Sequence, residues 1–232
     1  MKVIIAAAGT GGHINPGIAI ANKIKEKNQN ARIVFIGTKN GLEKDLVPRA
    51  GYELKCIEAH GISRKISFQN IKNMFKTLKG FRQASKIIKE IEPDIVIGTG
   101  GYICGPTIFC AIRKKIPTLL HESNGYPGIS VKLLSKRVNT ICVGFKEAVQ
   151  RLPKAKKVVI TGNPTKFTSS VLTEEQKRSL RNELGIENNL PIVLAFGGSQ
   201  GAKSINKALI NIIKNNINNN YQLIWAARTE TI

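Results

Sequence analysis

Short runs of aliphatic and β-branched residues alternate along the chain with longer stretches in which apolar positions recur every three or four residues. The runs are Val3 to Ala8, Arg32 to Ile36, Asp94 to Gly98, Pro117 to Leu120, Thr140 to Val143 and Lys157 to Ile160. A strand covered on both faces needs such unbroken hydrophobicity, so this rhythm predicts an α/β domain with a parallel sheet between two helical layers. Sites in such sheets gather at the carboxyl ends of strands, where the glycine turns of this chain also fall. The turn-rich stretch Thr161-Gly162-Asn163-Pro164 closes the pattern, dividing the chain into a first domain, 1–163, and a second, 164–232. The second opens with a helical pattern from Thr173 to Leu184. It continues with a strand from Pro191 to Phe196, a glycine loop, a helix from Ser204 to Asn215 and a strand from Tyr221 to Ala226. A doubly wound domain uses about five or six strands, so two strands predict an incomplete second domain.

Composition bounds this picture. With 232 residues, 42% of them hydrophobic, the chain can bury one full core and part of another. Its net charge of +21 favours anionic partners: a nucleotide diphosphate, a lipid pyrophosphate, an acidic membrane surface or nucleic acid. No recognised motif or aromatic stacking platform supports nucleic acid. Cys56, Cys104, Cys110 and Cys142 lie in apolar stretches without metal-ligand spacing and read as reduced core thiols, which suits the cytoplasm. No run approaches the roughly 18 to 20 apolar residues of a bilayer span, so membrane contact is expected to be peripheral.

The candidate chemistry lies in two glycine loops. Gly9-Thr10-Gly11-Gly12-His13 follows a strand and precedes a helix expected to start with Asn15 as N-cap and Pro16 in its first turn. Open amides and the helix dipole make such a turn a cradle for phosphate. The spacing fits neither the dinucleotide fingerprint nor a P-loop. His13 reads either as a residue that orders the turn or as a general base. Gly197 to Ala202 repeats the arrangement and adds Ser199 and Gln200 as phosphate-binding side chains, so the two loops read as facing half-sites. Only two aspartates occur, Asp45 and Asp94, and no Asp-x-Asp pair. Metal-dependent sugar transfer is therefore not expected, and no cofactor is implied.

Five ordered motifs carry a family resemblance: Gly9 to His13; Gly100-Gly101-Tyr102 with Gly105-Pro106; His121-Glu122-Ser123-Asn124 with Pro127-Gly128; Thr161 to Pro164; and Gly197 to Ala202. In this order and spacing the chain resembles the MurG family, the undecaprenyl-diphospho-muramoylpentapeptide β-N-acetylglucosaminyltransferases. The resemblance implies a GT-B fold of two Rossmann-like doubly wound domains and metal-independent, inverting transfer of N-acetylglucosamine from UDP-N-acetylglucosamine to lipid I, giving lipid II. It places the acceptor with the first domain and the UDP-sugar with the second, at the cytoplasmic face of the bacterial membrane. It implies that Thr10, Gly11 and Gly12 contact a diphosphate, that His13 is the base and that Asn124 and Ser199 help bind the donor. Tyr102, His121 and Glu122 would line the cleft, Glu122 with a catalytic part. Tyr102 read as a packing ring, His121 with Glu122 as a strand-end brace, and Asn124 as a turn residue are the plainer alternatives.

The chain departs from the family at Ser123, where glutamine is usual, at Cys104, often serine, and at Lys166, where arginine is expected after Gly-Asn-Pro. Lysine keeps the charge for a diphosphate but loses the bidentate fork. Family members also continue well beyond residue 232, so a carboxyl-terminally truncated chain with little transferase activity of its own is expected. The alternative is a non-catalytic fragment that binds membrane or lipid pyrophosphate. Another GT-B transferase or a UDP-sugar epimerase fits the five motifs less well. Finally, Ile71, Phe75, Leu78 and Phe81 recur at helical spacing among Lys72, Lys76 and Lys79. They read either as a core-facing stripe with a solvated basic side or as a surface dipping into anionic lipid.

Overall fold

The computed structural model describes residues 1–59, 68–165, 171–186, 190–198, 202–217 and 220–227, the side chains of 68–77 excepted. The chain forms two compact units, Met1–Phe167 and Thr168–Ile232.

In the first unit seven strands build one parallel sheet: β1 (Lys2–Ala7), β2 (Arg32–Gly37), β3 (Glu53–Cys56), β4 (Ile95–Gly100), β5 (Thr118–Glu122), β6 (Thr140–Val143) and β7 (Val158–Ile160). The helices are α1 (Gly11–Lys27), α2 (Glu43–Arg49), α3 (Phe68–Ile91), α4 (Cys104–Arg113) and α5 (Ile129–Leu134), with a 3-10 turn over Lys146–Arg151. Alternation along β1 feeds two cores, one on each face of the sheet. Val3, Ile5 and Ala7 pack with Ile14 and Ile18 of α1 and with Phe35. Ile4 and Ala6 pack with Ala84 and Ile88 of α3 and Ile108 of α4. Each fully buried isoleucine of this kind contributes roughly 1.5–3 kcal/mol, so the strand is held from both sides.

The strand order is β3-β2-β1-β4-β5-β6-β7. The chain steps outward from β1 to β3, returns to the other side of β1 with β4, and then continues away from it. The order therefore reverses between β1 and β4, and the loops leaving these two neighbours run to opposite sides. A crevice at their carboxyl ends is the usual place for a ligand in such a sheet.

Two elements differ from the sequence reading. The edge strand β3, Glu-Leu-Lys-Cys, is short and half charged, and it pairs only with β2, so it lacks the apolar run of a central strand. Helix α1 begins at Gly11, with Thr10 rather than Asn15 at the cap position, in extended backbone (φ −130°, ψ 157°) and without a side-chain capping bond. Pro16 is inside the helix. Its missing N–H forfeits only the bond to the Gly12 carbonyl, and that loss is tolerated because Pro16 and Gly17 are buried against the sheet.

The second unit contains α6 (Glu174–Glu183), β8 (Ile192–Phe196), α7 (Lys203–Lys214) and β9 (Gln222–Ala226). The two strands are parallel, with Ile192 opposite Gln222 and Phe196 opposite Ala226. Thr173 and Gln176 close a capping box on α6, satisfying two terminal amides reciprocally. Trp225 Nε1–H donates to the buried Asn206 Oδ1 at 3.3 Å, joining β9 to α7.

Candidate functional site at the strand-order reversal

The loops that leave β1 and β4 interlock. Gly100 (φ +126°) and Gly101 (φ +82°) hold backbone conformations that side-chain-bearing residues rarely adopt. A Cβ on Gly100 would collide with the His13 ring, and one on Gly101 with the Ala8 carbonyl oxygen. The two glycines are thus the floor on which the first loop rests. Buried Thr99 donates its hydroxyl to His13 O at 2.7 Å, a second tie between the loops. Tyr102 lies beside Gly9.

His13 is held in one tautomer by this seat. Its Nδ1 lies 3.1 Å from Ala8 O, with Thr10 Oγ1 at 3.4 Å. A carbonyl only accepts, so in the neutral ring Nδ1 carries the proton and Nε2 the lone pair. The amides of His13 and Ile14 bond to Thr10 O, whereas those of Gly11 and Gly12 belong to the helix start that has no intrahelical acceptor. The open N–H groups of the helix start and the His13 ring, which rests on Gly100, thus belong to the same turn.

The thiol of Cys104 takes part in the same lattice. It accepts from Gly100 N at 3.2 Å and donates to Ala6 O at 3.3 Å, so it serves where a serine hydroxyl would. Complete burial pushes its pKa up to about 12, and the group stays a neutral thiol.

Sequence reading missed Glu43. Its side chain is fully buried, and one carboxylate oxygen accepts from Thr38 N at 2.9 Å and Thr38 Oγ1 at 2.6 Å. The other accepts from Gly9 N at 3.1 Å. Gly37 and Gly41 leave room for it, since a Cβ on either would strike its side chain. Glu43 thereby pins the first glycine loop to the turn after β2. The available signal was an acid at a helix start within a Gly-Thr…Gly-Leu-Glu stretch, which is indistinguishable in sequence from an ordinary first-turn glutamate.

A second cluster follows β5. His121 and Glu122, expected to line the site, are 1% and 5% exposed and act as internal braces. His121 Nε2–H donates to Gly162 O at 3.3 Å, and Nδ1 faces the Ser123 hydroxyl at 3.4 Å. Burial lowers its pKa below the ordinary value. Glu122 accepts from Asn124 N and Nδ2, both at 2.9 Å, and from Gly128 N at 2.8 Å, so its carboxylate is spent on the loop. Asn124 is exposed near the start of that loop, and Asn163 Nδ2 donates to Ser123 O at 3.1 Å. Thr10 and Gly12 are exposed, and Gly11, His13 and Tyr102 are half-buried.

Lys166, Ser199 and Gln200 lie outside the described residues, as do the side chains of Ile71, Lys72, Phe75 and Lys76. Of the remaining lipid-facing candidates, Leu78 is 54% exposed and Lys79 is ion-paired to Glu58 at 2.6 Å. Phe81 turns inward, edge-on to Phe109 with ring centroids 5.5 Å apart. Partly buried, it packs against the core beside the buried stripe Ala84, Ile88 and Ile91 of α3. Among the described residues no group of three His, Cys, Asp or Glu side chains could hold a metal ion.

Comparison with known proteins bears on the fold and the family. The model of the glycosyltransferase family 28 N-terminal domain matches residues 3–143. The chain is 47% identical over 214 residues to the UDP-N-acetylglucosamine--N-acetylmuramyl-(pentapeptide) pyrophosphoryl-undecaprenol N-acetylglucosamine transferase of Caldanaerobacter subterraneus, covering 92% of this chain and 58% of that one. It is similar to the crystal structure of Acinetobacter baumannii MurG, with a TM-score of 0.63 and 27% identity, over 92% of this chain and 57% of that one. The UDP-GlcNAc 2-epimerase of Neisseria meningitidis, bound to UDP-GlcNAc, shares the fold at 14% identity and a TM-score of 0.63, over 99% of this chain and 66% of that one. These likenesses put the chain in the GT-B class, and it spans less than two thirds of the length of the curated relatives it matches. With that amino-terminal domain running through more than half of its residues, the chain belongs to glycosyltransferase family 28.

Proposed function

We propose that the chain serves the transfer of N-acetylglucosamine from UDP-N-acetylglucosamine to an undecaprenyl-pyrophosphoryl N-acetylmuramyl-pentapeptide at the cytoplasmic face of a bacterial membrane. One observation carries the reading: the interlocked loops after β1 and β4 seat the His13 ring on Gly100, with Nδ1 on Ala8 O, in the glycine turn that opens α1. In this reading the Gly11 and Gly12 amides and the positive end of α1 hold the acceptor pyrophosphate. The attacking hydroxyl of the acceptor sugar gives its proton to His13 Nε2 as its oxygen bonds to the anomeric carbon of the donor. The bond to UDP breaks on the opposite face, inverting the configuration, and the UDP oxygen leaves with the electron pair. His121 and Glu122 position the loop that presents Asn124 and touch neither substrate. The net charge of +21 and the exposed Leu78 support a membrane-side role.

Because the chain is expected to turn over little on its own, the test is single-turnover transfer of labelled sugar to a soluble acceptor analogue with the chain in excess, measured together with acceptor affinity. His13→Ala is expected to slow transfer by about 10²- to 10⁴-fold while changing acceptor affinity little. A wild-type chain that binds neither acceptor nor UDP-sugar, or a His13→Ala variant with undiminished transfer, refutes the proposal.

A further inference from the structure

Beside the site, the carboxyl ends of β1, β2 and β3 surround a cavity of about 630 Å³. That is within the roughly 300–1,000 Å³ of pockets that take small organic ligands. It shares Gly9 and Tyr102 with the site already described, and its other walls are Thr38 to Gly41 and Ile57 to Ala59. Its two sides differ in character. Ile57 and Ala59 are buried and, with the Tyr102 ring, make an apolar wall. Lys39 and Asn40 are exposed, and Lys39 makes no ion pair among the described residues. The acidic member, Glu58, is engaged by Lys79 at 2.6 Å.

A pyrophosphate is a poor fit here, because one flexible ammonium beside an apolar wall does not match several anionic oxygens. A peptide fits better: it brings a carboxylate for the lysine, backbone amides for the asparagine and aliphatic side chains for the wall. The acceptor named for the similar transferases carries a pentapeptide and a pyrophosphate on the same muramyl sugar. If the pyrophosphate lies on α1 and the sugar reaches His13, the peptide has this cavity next to it.

We propose that this cavity is the subsite for the peptide borne by the acceptor sugar, with Lys39 pairing to a peptide carboxylate. The assignment rests on the acceptor reading above. It is tested by calorimetric titration of the chain with N-acetylmuramyl-pentapeptide lacking phosphate and lipid, and separately with a short isoprenyl pyrophosphate lacking sugar and peptide. Lys39→Glu is expected to weaken the muramyl-pentapeptide by about tenfold or more, and Asn40→Ala by a smaller factor, with isoprenyl pyrophosphate affinity held within about twofold. Both positions are on the surface, so the fold is not at stake. Muramyl-pentapeptide that fails to bind the wild-type chain, or binds Lys39→Glu equally well, overturns the assignment. So does an equal loss for both ligands, which would make Lys39 a phosphate group's partner. Isoprenyl pyrophosphate that fails to bind while the peptide ligand still depends on Lys39 counts against the pyrophosphate reading alone and supports the cavity assignment.

Discussion

Glu43 shows how much a single side chain decides here. Glu43→Ala would strip the acceptor from Gly9 N, Thr38 N and Thr38 Oγ1 at once. Each buried donor left unmet costs about 1–3 kcal/mol, less whatever water recovers, so a net loss of about 3 kcal/mol in urea unfolding is expected. Glu43→Gln keeps the volume and one accepting oxygen, but points an amide N–H₂ at another donor, so about half that loss is expected. A Glu43→Gln variant as stable as the wild type would mean that volume, and not the hydrogen bonds of the carboxylate, holds the loop. His121 has a different signature. Its folded pKa is lowered by burial, so below the ordinary value of 6.5 the unfolded chain takes up a proton before the folded chain does. The contribution of neutral His121 is complete above that pH and is lost as pH falls through the window beneath it. His121→Asn removes this part of the slope. Unfolding free energies that fall in parallel for wild type and variant between about pH 7.5 and 5.5 would contradict the assignment. Among the site residues, His13, Thr10, Gly11 and Gly12 were legible because they form a compact motif. Glu43 was not, since its partners come from two turns that only the sheet brings together.

At the level of elements, β1, β2 and β4 could be read from hydrophobicity alone because both of their faces are buried. β3 escaped because it is an edge strand whose Glu53 and Lys55 form ion pairs at the rim. The start of α1 was misplaced because Asn15 and Pro16 are strong helix-start signals, while two glycines in a first turn are weak ones. Tertiary contact overrode both: the loop must sit on Gly100 and Gly101. Helix α3 was legible as an amphipathic segment, but spacing could not tell which of Leu78 and Phe81 faced inward. The structure separates them, and two substitutions should do the same. Phe81→Ala is expected to destabilise the fold by about 2 kcal/mol, less than truncation of a fully buried aromatic residue, without a specific effect on lipid. Leu78→Ser should leave stability within about 0.5 kcal/mol and reduce sedimentation with vesicles rich in anionic lipid. Vesicle binding that is indifferent to Leu78 and to lipid charge would remove this helix from the membrane proposal.

For the whole molecule, the strand–helix rhythm announced a parallel α/β unit but not its strand order, because every order of buried strands has the same local pattern. The reversal between β1 and β4 is therefore visible only in three dimensions, and with it the reason that two motifs some ninety residues apart are one site. That arrangement also has a kinetic side. The strand made first ends in the middle of the sheet, flanked by β2 and by β4. During synthesis β1 can collect β2, and β2 collect β3, early, since these contacts are comparatively local, but the Gly9 to His13 loop, held by then only through Glu43, lacks its glycine floor until Gly101 has emerged. The imidazole is thus oriented late, by the closure of a long-range pairing, and a nascent chain lacking β4 holds the whole first motif without yet having a shaped site.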